Sequence, residues 1–356
     1  MDKKCASPCD RLGKVGGQAV LEGVMMKAGE RTVTTCREEG GGIVVVDDSF
    51  HSLRDKNKFF NLPLVRGVVN FIESLMLSIR TLSASADALG IEEEDGKLER
   101  WLKKHLGIRL VDAVMVFSTV LGVALALFLF MFLPGAVSDL VSRIVRNLSG
   151  LPLTPTGKAL VEGVAKIGIF LVYLFGVSFV PDIKRTFMYH GAEHKSIACF
   201  EAGEELTPEN AMRHTRFHPR CGTSFMFFMI LIGIIVGMLL NNIFPYMPRL
   251  ALTGIRLLLL PLVVGIGYEF IRFAGKHPSP FTRALSAPGL WVQRITTKEP
   301  TADMLEVAII SLKCALRDDF PEFREFFEAR PWEAEPEEKT ATEEASEDEN
   351  DTEGSN

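Results

Sequence analysis

The stretch FMFFMILIGIIVGMLL, residues 225–240, decides the class of fold to which this chain belongs. It contains no charged residue, and with its flanks it reaches the roughly 20 apolar residues that a helix needs to cross a bilayer. Three other segments are long and apolar enough to do the same. The sequence therefore predicts four membrane spans, at Val111–Leu133, Ala159–Val180, Ser224–Phe244 and Leu250–Ile271.

The composition agrees with a chain that lies partly inside a bilayer. Its 356 residues have a mean hydropathy of +0.18 and are 47% hydrophobic, too apolar for an ordinary soluble protein and too polar for one that is all membrane. The net charge of −6 hides an acidic tail, because residues 333–356 carry −10 and the rest of the chain +4. A mildly basic body suits an anionic membrane surface. Because the sequence has no dense basic stripe, we expect no nucleic-acid partner.

Lysine and arginine are distributed unevenly between the predicted spans, which indicates an orientation. They crowd the segment before the first span, the loop 181–222 and the segment after the fourth span, and they are sparse in the other two loops. With four spans, all three basic regions lie on one side. We therefore expect a multi-pass protein of the cell membrane, with both termini and loop 181–222 in the cytosol.

The segment Pro63–Leu82 is apolar around most of a helix but carries a polar stripe. Arg66, Glu73 and Arg80 recur at intervals of seven residues and so share one face. A striped helix lies in the membrane interface, or packs against a bundle, more readily than it spans. We predict an interfacial amphipathic helix here rather than a fifth span.

Two small folded pieces are predicted outside the spans. The runs RTVTTC (31–36) and IVVVDD (43–48) flank a glycine-rich turn and predict a β-hairpin, while the glycines of GGQAVLEGVMM (16–26) are interpreted as turn residues. Near the other end, Thr301 can cap a helix running to about Leu316.

The predicted fold class is thus a mainly α, multi-pass membrane protein with about four transmembrane helices, an interfacial amphipathic helix and a small N-terminal β unit. The expected parts are a polar leader (1–12), the β unit (13–60), the amphipathic helix and linker (61–110), the membrane domain (111–275), a cytosolic helical segment (276–330) and a disordered acidic tail (331–356).

Four of the seven histidines fall within the 29 residues from 190 to 218. If Pro181 opens a helix that stops at Gly203, His190 and His194 lie one turn apart on one face and can hold one metal ion. The residues HGAEH have the H-x-x-E-H spacing of the inverted zinc-peptidase motif. In that pattern Glu193 is the candidate catalytic base.

A second group of candidate ligands follows in HPRCGT, residues 218–223. A thiolate combined with imidazoles suits zinc or another borderline-soft ion. We therefore predict a divalent metal site, most simply zinc, held by His190, His194, His218 and Cys221. Glu201 is a further oxygen ligand or a solvent-facing charge.

The sequence also contains six longer strings, GGQAVLEGVMM (16–26), LPLVRGVVNFIESL (62–75), YHGAEHKSIACFEAG (189–203), RFHPRCGTSF (216–225), LLLPLVVGIGYEFIRFAG (258–275) and PGLWVQRITTKEP (288–300). Over residues 13–318 the chain resembles the bacterial domain of unknown function 1385 (DUF1385) family. The resemblance implies a multi-span bacterial membrane protein, described as a predicted metal-dependent enzyme of unknown substrate. The family pattern covers His190, Glu193, His194, Glu201, His218, Arg220 and Cys221, and does not include His214.

Two functions of different classes fit these residues. In the first, one metal position is open to water and Glu193 is a general base, so that the protein hydrolyses a peptide, amide or ester at the bilayer. In the second, a closed four-ligand zinc site staples loop 181–222 to the spans. The protein is then a non-enzymatic scaffold or binding protein for a membrane-protein or peptide partner. A transporter is a weaker third alternative, because the sequence shows no inverted repeat and no pair of helices broken by glycine or proline.

Overall fold

The structure is a computed structural model that describes residues 11–38, 40–89, 110–276 and 279–323. In these ranges the chain is mainly helical with one small antiparallel sheet near its N-terminus, as the sequence predicts. Residues up to Ala315 form one compact unit, and Leu316 begins a second. The predicted acidic tail, most of the polar leader and most of the linker lie outside the described residues.

The β unit is a four-stranded antiparallel sheet whose strands lie side by side in chain order. The predicted hairpin is confirmed, because β3 pairs with β4 along its whole length. The strands are β1 (Val15–Val20), β2 (Gly23–Ala28), β3 (Arg31–Arg37) and β4 (Ile43–Ser49).

The glycines of residues 16–26 are strand residues, so their interpretation as turn residues was wrong. Gly16 and Gly17 lie inside β1, and Gly23 begins β2. A Cβ atom at Gly23 would overlap the carbonyl oxygen of Thr35 on the neighbouring strand. Glycine is therefore needed here for close approach of two backbones rather than for a turn.

The predicted amphipathic helix is α2 (Val65–Ala88), which follows the short helix α1 (Leu53–Lys56) and a 3₁₀ turn (Lys58–Asn61). Its polar stripe packs on the protein. Glu73 is buried and accepts hydrogen bonds from the Ser52 hydroxyl at 3.0 Å and the Leu53 amide at 2.6 Å. The exposed face is apolar and carries Ile72, Leu75, Met76, Ile79 and Leu82.

In the described residues, three helical runs are long and apolar enough to cross a membrane, or up to four if a bent pair counts as one span. The first, Val120–Ser149, covers the end of α3 (Leu110–Leu127), a π-helical turn (Phe128–Phe132) and α4 (Leu133–Ser149). The others are α5 (Pro155–Val177) and α8 (Gly222–Ile243).

The first run does not end at Leu133, as the sequence predicts, but continues to Ser149. The Leu133 amide bonds the carbonyl of Phe128, five residues back, so the helix is widened immediately before Pro134. Pro134 has no amide proton to donate, and its ring would clash with the preceding turn of a regular α-helix. The wider π turn accommodates both effects, so the helix continues.

The predicted fourth span is broken. Helices α9 (Arg249–Leu258) and α10 (Leu260–Lys276) meet at Leu259 with a bend of 46°. Pro261 lies in the first turn of α10 and has no amide proton with which to continue α9. The pair is therefore either one broken span or a re-entrant loop.

Loop 181–222 is largely helical. It forms α6 (Pro181–Ala202) and α7 (Pro208–Arg213), and α11 (Pro280–Thr296) and α12 (Ala302–Ala315) follow the candidate spans. Helix α12 contacts both α6 and the sheet. The Ser311 hydroxyl donates to the carbonyl oxygens of Val24 and Val33, at 3.1 and 2.9 Å. Helix α6 therefore packs against both α12 and the sheet.

Candidate metal centre

Helix α6 carries the candidate histidines inside the protein. It begins at Pro181 and ends before Gly203, whose φ of +80° favours glycine, so the predicted helix is confirmed. The rings of His190 and His194, one turn apart, have centroids 4.5 Å from each other. His194 is fully buried, which makes it available to a ligand inside the site and not to bulk solvent.

Both histidines are held through the same ring nitrogen. His190 Nδ1 lies 2.9 Å from the carbonyl oxygen of Thr296, and His194 Nδ1 lies 2.5 Å from that of Arg216. A carbonyl oxygen can only accept, so each Nδ1 carries the proton. Each neutral ring then has a lone pair at Nε2, which is the arrangement found in metal-binding histidines.

Cys221 completes a three-residue group with these histidines. It is the N-cap of α8, it is buried, and its Sγ lies 3.3 Å from His190 Nε2. The ligand atoms of His190, His194 and Cys221 all lie within 4.8 Å of one another. Two imidazoles and one sulfur make a donor set that fits zinc and leaves one tetrahedral position.

Glu193 borders this group with a buried carboxylate. Its Oε2 makes no hydrogen bond to any residue that the structure describes, and it lies 4.0 Å from His190 Nε2. Burial raises the pKa of Glu193 to about 7, although His190 and a hydrogen bond from the Gly17 amide act in the opposite direction. A buried oxygen without a partner is costly, so its position next to three ligand atoms points to a function.

His218 lies beside the group but faces away from it. Its ring centroid is 5.4 Å from that of His194, while its Nε2 lies 3.8 Å from Glu201 Oε2 and 3.3 Å from Arg220 Nη2. Arg220 also pairs with Glu201. Burial would raise the pKa of Glu201, but hydrogen bonds from His218 and the Gly13 amide, together with the charge of Arg220, lower it.

All seven predicted residues thus lie in one region, in two adjoining sets. His190, His194 and Cys221 gather their ligand atoms with Glu193 at their edge, and His218, Glu201 and Arg220 form an ion-paired set next to them.

Sequence reasoning missed the residue that holds His218 in place. Gln293 of α11 is fully buried, and its amide nitrogen donates to the His218 carbonyl while its oxygen accepts from the His218 amide, both at 2.8 Å. The same nitrogen lies 3.1 Å from Ser224 Oγ at the start of α8. The only sequence signal for this clamp is one polar residue in PGLWVQRITTKEP, and no local pattern connects it to a residue 75 positions away.

A second group of possible ligands, Cys199, Glu204 and His214, lies further along α6 and beyond its end. Its chemistry is explained without an ion. The Cys199 thiol donates to the Glu205 carbonyl at 3.5 Å, and His214 Nε2 lies 3.2 Å from Glu204 Oε2. Burial raises the pKa of Cys199 to about 11, which favours the thiol.

Comparison with known proteins places the chain in a family. The family model described as "Protein of unknown function (DUF1385)" matches residues 62–318. The chain is also 35% identical over 308 residues to the uncharacterized protein YqhQ of Bacillus subtilis (strain 168), covering 85% of this chain and 92% of that protein. No solved structure matches. The chain therefore belongs to the DUF1385 family, a family of unknown function.

Proposed function

We propose that the protein is a metal-dependent hydrolase at the cytosolic face of the bacterial cell membrane. His190, His194 and Cys221 would hold one zinc ion, and Glu193 would be the general base. The observation that carries the proposal is the buried, unpartnered Oε2 of Glu193, which lies 4.0 Å from the nitrogen that His190 would offer to the ion. A purely structural site has no need for that carboxylate.

A zinc ion held by this set would supply a Lewis acid and would lower the pKa of water at the site. The protein's own contribution is to fix the geometry. The carbonyls of Thr296 and Arg216 hold the two imidazoles with Nε2 turned to the group, and the Gly17 amide orients Glu193. Glu193 would accept a proton from water and return it to the leaving group.

The adjoining set has a complementary role in the proposal. Glu201 holds Arg220 and His218 in an ion-paired set next to the ligand group. In the proposal this set supports the wall of the site beside His194, whose ring centroid lies 5.4 Å from that of His218. The substrate would be a peptide, amide or ester. It would be presented at the bilayer, since the ligand Cys221 is the N-cap residue of the apolar helix α8.

A second candidate is a structural zinc site in a membrane scaffold. The three ligands come from α6 and from the N-cap of α8, so an ion held by them would tie these helices together. In that case Glu193 has no catalytic role, so a substitution of Glu193 distinguishes the two functions.

The test compares substitutions by zinc content, protein abundance and rescue of a deletion strain. We expect about one zinc ion per purified chain, lost in His190→Ala and in His194→Ala. Glu193→Gln keeps the side-chain volume and should retain zinc and abundance while failing to rescue. His51→Ala, a histidine exposed beside the sheet, is the control and should match wild type.

Two results would contradict the hydrolase. If Glu193→Gln protein keeps its zinc and rescues the deletion fully, the site is structural. If wild-type protein prepared without chelators holds no zinc or other divalent metal, neither candidate stands.

A further inference from the structure

Helix α11 has polar side chains on its buried face and large apolar side chains on its exposed face. The buried face carries Thr282, Gln293 and Thr296, each at most 3% exposed. On the exposed face, Phe281 is 70% and Trp291 67% exposed. A helix that borders water has the opposite arrangement. The sequence predicts a cytosolic location for this helix, but its exposed face is poorly suited to water.

The apolar side chains of the exposed face form a stripe. Phe281, Ala284, Pro288 and Trp291 follow one another at intervals of three, four and three residues, which places them on one side of the helix. Pro288 is partly buried and the other three are exposed. A single exposed apolar residue needs no explanation, but a continuous apolar surface usually marks a contact.

Close packing fixes α11 at the ends of two candidate spans. A Cβ atom at Gly289 would come within 2.8 Å of Ser224 Cβ, so the backbone of α11 lies directly on the first turn of α8. Val292 shares a buried cluster with Leu174, in the last turn of α5, and with Phe227, in the second turn of α8. If α5 and α8 cross a bilayer, α11 lies at the level of its interface.

The surface around this end of α8 is of the same kind. Phe179, just after α5, is 67% exposed. Helix α2 reaches the same end of α8, since the rings of Phe71 and Phe225 have centroids 6.1 Å apart. Like α11, α2 buries a polar side chain, Glu73, and exposes apolar ones such as Ile79. Two helices that are not candidate spans therefore present apolar outward faces at one end of α8.

We propose that α11 lies in the membrane interface, with Phe281, Ala284 and Trp291 against the lipid acyl chains of one leaflet. Lipid is the occupant that the packing favours, because α11 is continuous with candidate spans whose own exposed faces need lipid. Tryptophan suits this depth, because its ring is apolar and its N–H group can reach the head groups. The proposal requires α5 and α8 to cross a bilayer, but it requires neither a metal ion nor hydrolysis.

The location has a consequence for the candidate metal centre. The inner face of α11 holds His190 through the Thr296 carbonyl and His218 through the Gln293 side chain. With lipid on the outer face of α11, these histidines lie about one helix diameter, roughly 10 Å, from the bilayer. This holds whether the centre is catalytic or structural.

The test measures whether lipid reaches Trp291. The chain has three tryptophans, and Trp101→Phe with Trp332→Phe leaves Trp291 as the single fluorophore. The full chain is reconstituted in phosphatidylcholine vesicles with or without bromine on the acyl chains, and aqueous iodide is the second quencher. Because interfacial side chains enter the boundary by several ångströms, we expect brominated lipid to reduce Trp291 fluorescence by about half and iodide to change it little.

The matched control moves the fluorophore to a surface expected to face water. With Trp291→Phe added, Glu209→Trp introduces it at an exposed position of α7, where iodide and not brominated lipid should quench it. Phe281→Trp in the same background tests the other end of the stripe and should behave as Trp291 does.

Three results would overturn the proposal. Quenching of Trp291 by iodide alone would mean that α11 borders water. Protection of Trp291 from both quenchers would mean that protein, such as a second copy of the chain, covers this face. Equal quenching of Trp291 and of the Glu209→Trp control by brominated lipid would mean that the effect is not specific to the stripe.

Discussion

Helices α6 and α8 are both 22 residues long, and they are buried in opposite ways. Ten residues of α6 are buried, including the polar Glu193 and Lys195, whereas only five of the much more apolar α8 are. On α8, Ile235 and Leu239 are each 57% exposed. The polar helix α6 is thus enclosed by protein, whereas the apolar helix α8 exposes many of its side chains on the protein surface.

The difference is the one expected of a chain that lies partly in water and partly in a bilayer. The charged Lys195 can be buried on α6 because its ammonium group has partners. Lys195 Nζ donates to the carbonyls of Met212 and His214, both at 2.9 Å, and lies 3.0 Å from Glu299. Helix α8 needs no protein around it, because in a bilayer its exposed face is surrounded by hydrocarbon.

The largest expected effect concerns how tightly each helix is enclosed. A Cβ atom at Gly191 of α6 would overlap the carbonyl oxygen of Lys298, a backbone atom that cannot easily move, whereas a Cβ at Gly233 of α8 meets nothing within 4 Å. Gly191→Ala should lower the free energy of unfolding by about 4 kcal/mol. Gly233→Ala should leave it unchanged or raise it by up to about 1 kcal/mol.

Unfolding of the purified protein in detergent, followed by circular dichroism, measures both glycine variants. Similar stability of the two would mean that α6 is not enclosed as described. Of the two variants, only Gly191→Ala should lose zinc. Gly191 is next to His190, so a shift of the helix at this position would move His190 away from His194.

A smaller effect tests the environment of α8. Ile235→Asp places a carboxylate on the exposed face near the middle of the helix, and in hydrocarbon this should cost about 3 kcal/mol of apparent insertion free energy. The measurement is the fraction of newly made protein inserted into membranes. Lys184→Asp on the exposed first turns of α6 is the control and should insert normally. Normal insertion of Ile235→Asp would indicate that this face is in water.

The smallest effect concerns the contact between the sheet and the outer surface of α6. Glu22 follows β1 and forms a bidentate ion pair with Arg185, whose side chain is 53% exposed. Solvent screens such a pair, so a double-mutant cycle of Glu22→Gln and Arg185→Gln should give a coupling below about 1 kcal/mol. A coupling of several kcal/mol would mean that the pair is shielded from solvent in the membrane-bound protein.

Residues that begin or end helices made the limits of the helices predictable. Pro181 and Gly203 limit α6 in the structure as they do in the sequence, and the third predicted span agrees with α8 within two residues at its start. The structure was harder to predict where two local signals competed. The apolar run from Leu250 to Ile271 indicated one span, and the structure shows two helices bent by 46° just before Pro261, which form either one broken span or a re-entrant loop.

The sequence by itself determined the apolar spans, the limits of α6 and the facing of His190 and His194, because each depends on residues within a few turns of one another. Only the tertiary structure decided that Cys221 joins the histidines while His218 turns to Glu201 and Arg220. The physical reason is that these positions depend on the packing of α11 and the sheet against α6. Helix α11 provides the Thr296 carbonyl and the Gln293 clamp, and β1 provides the Gly17 amide, all from residues more than 70 positions away from their partners.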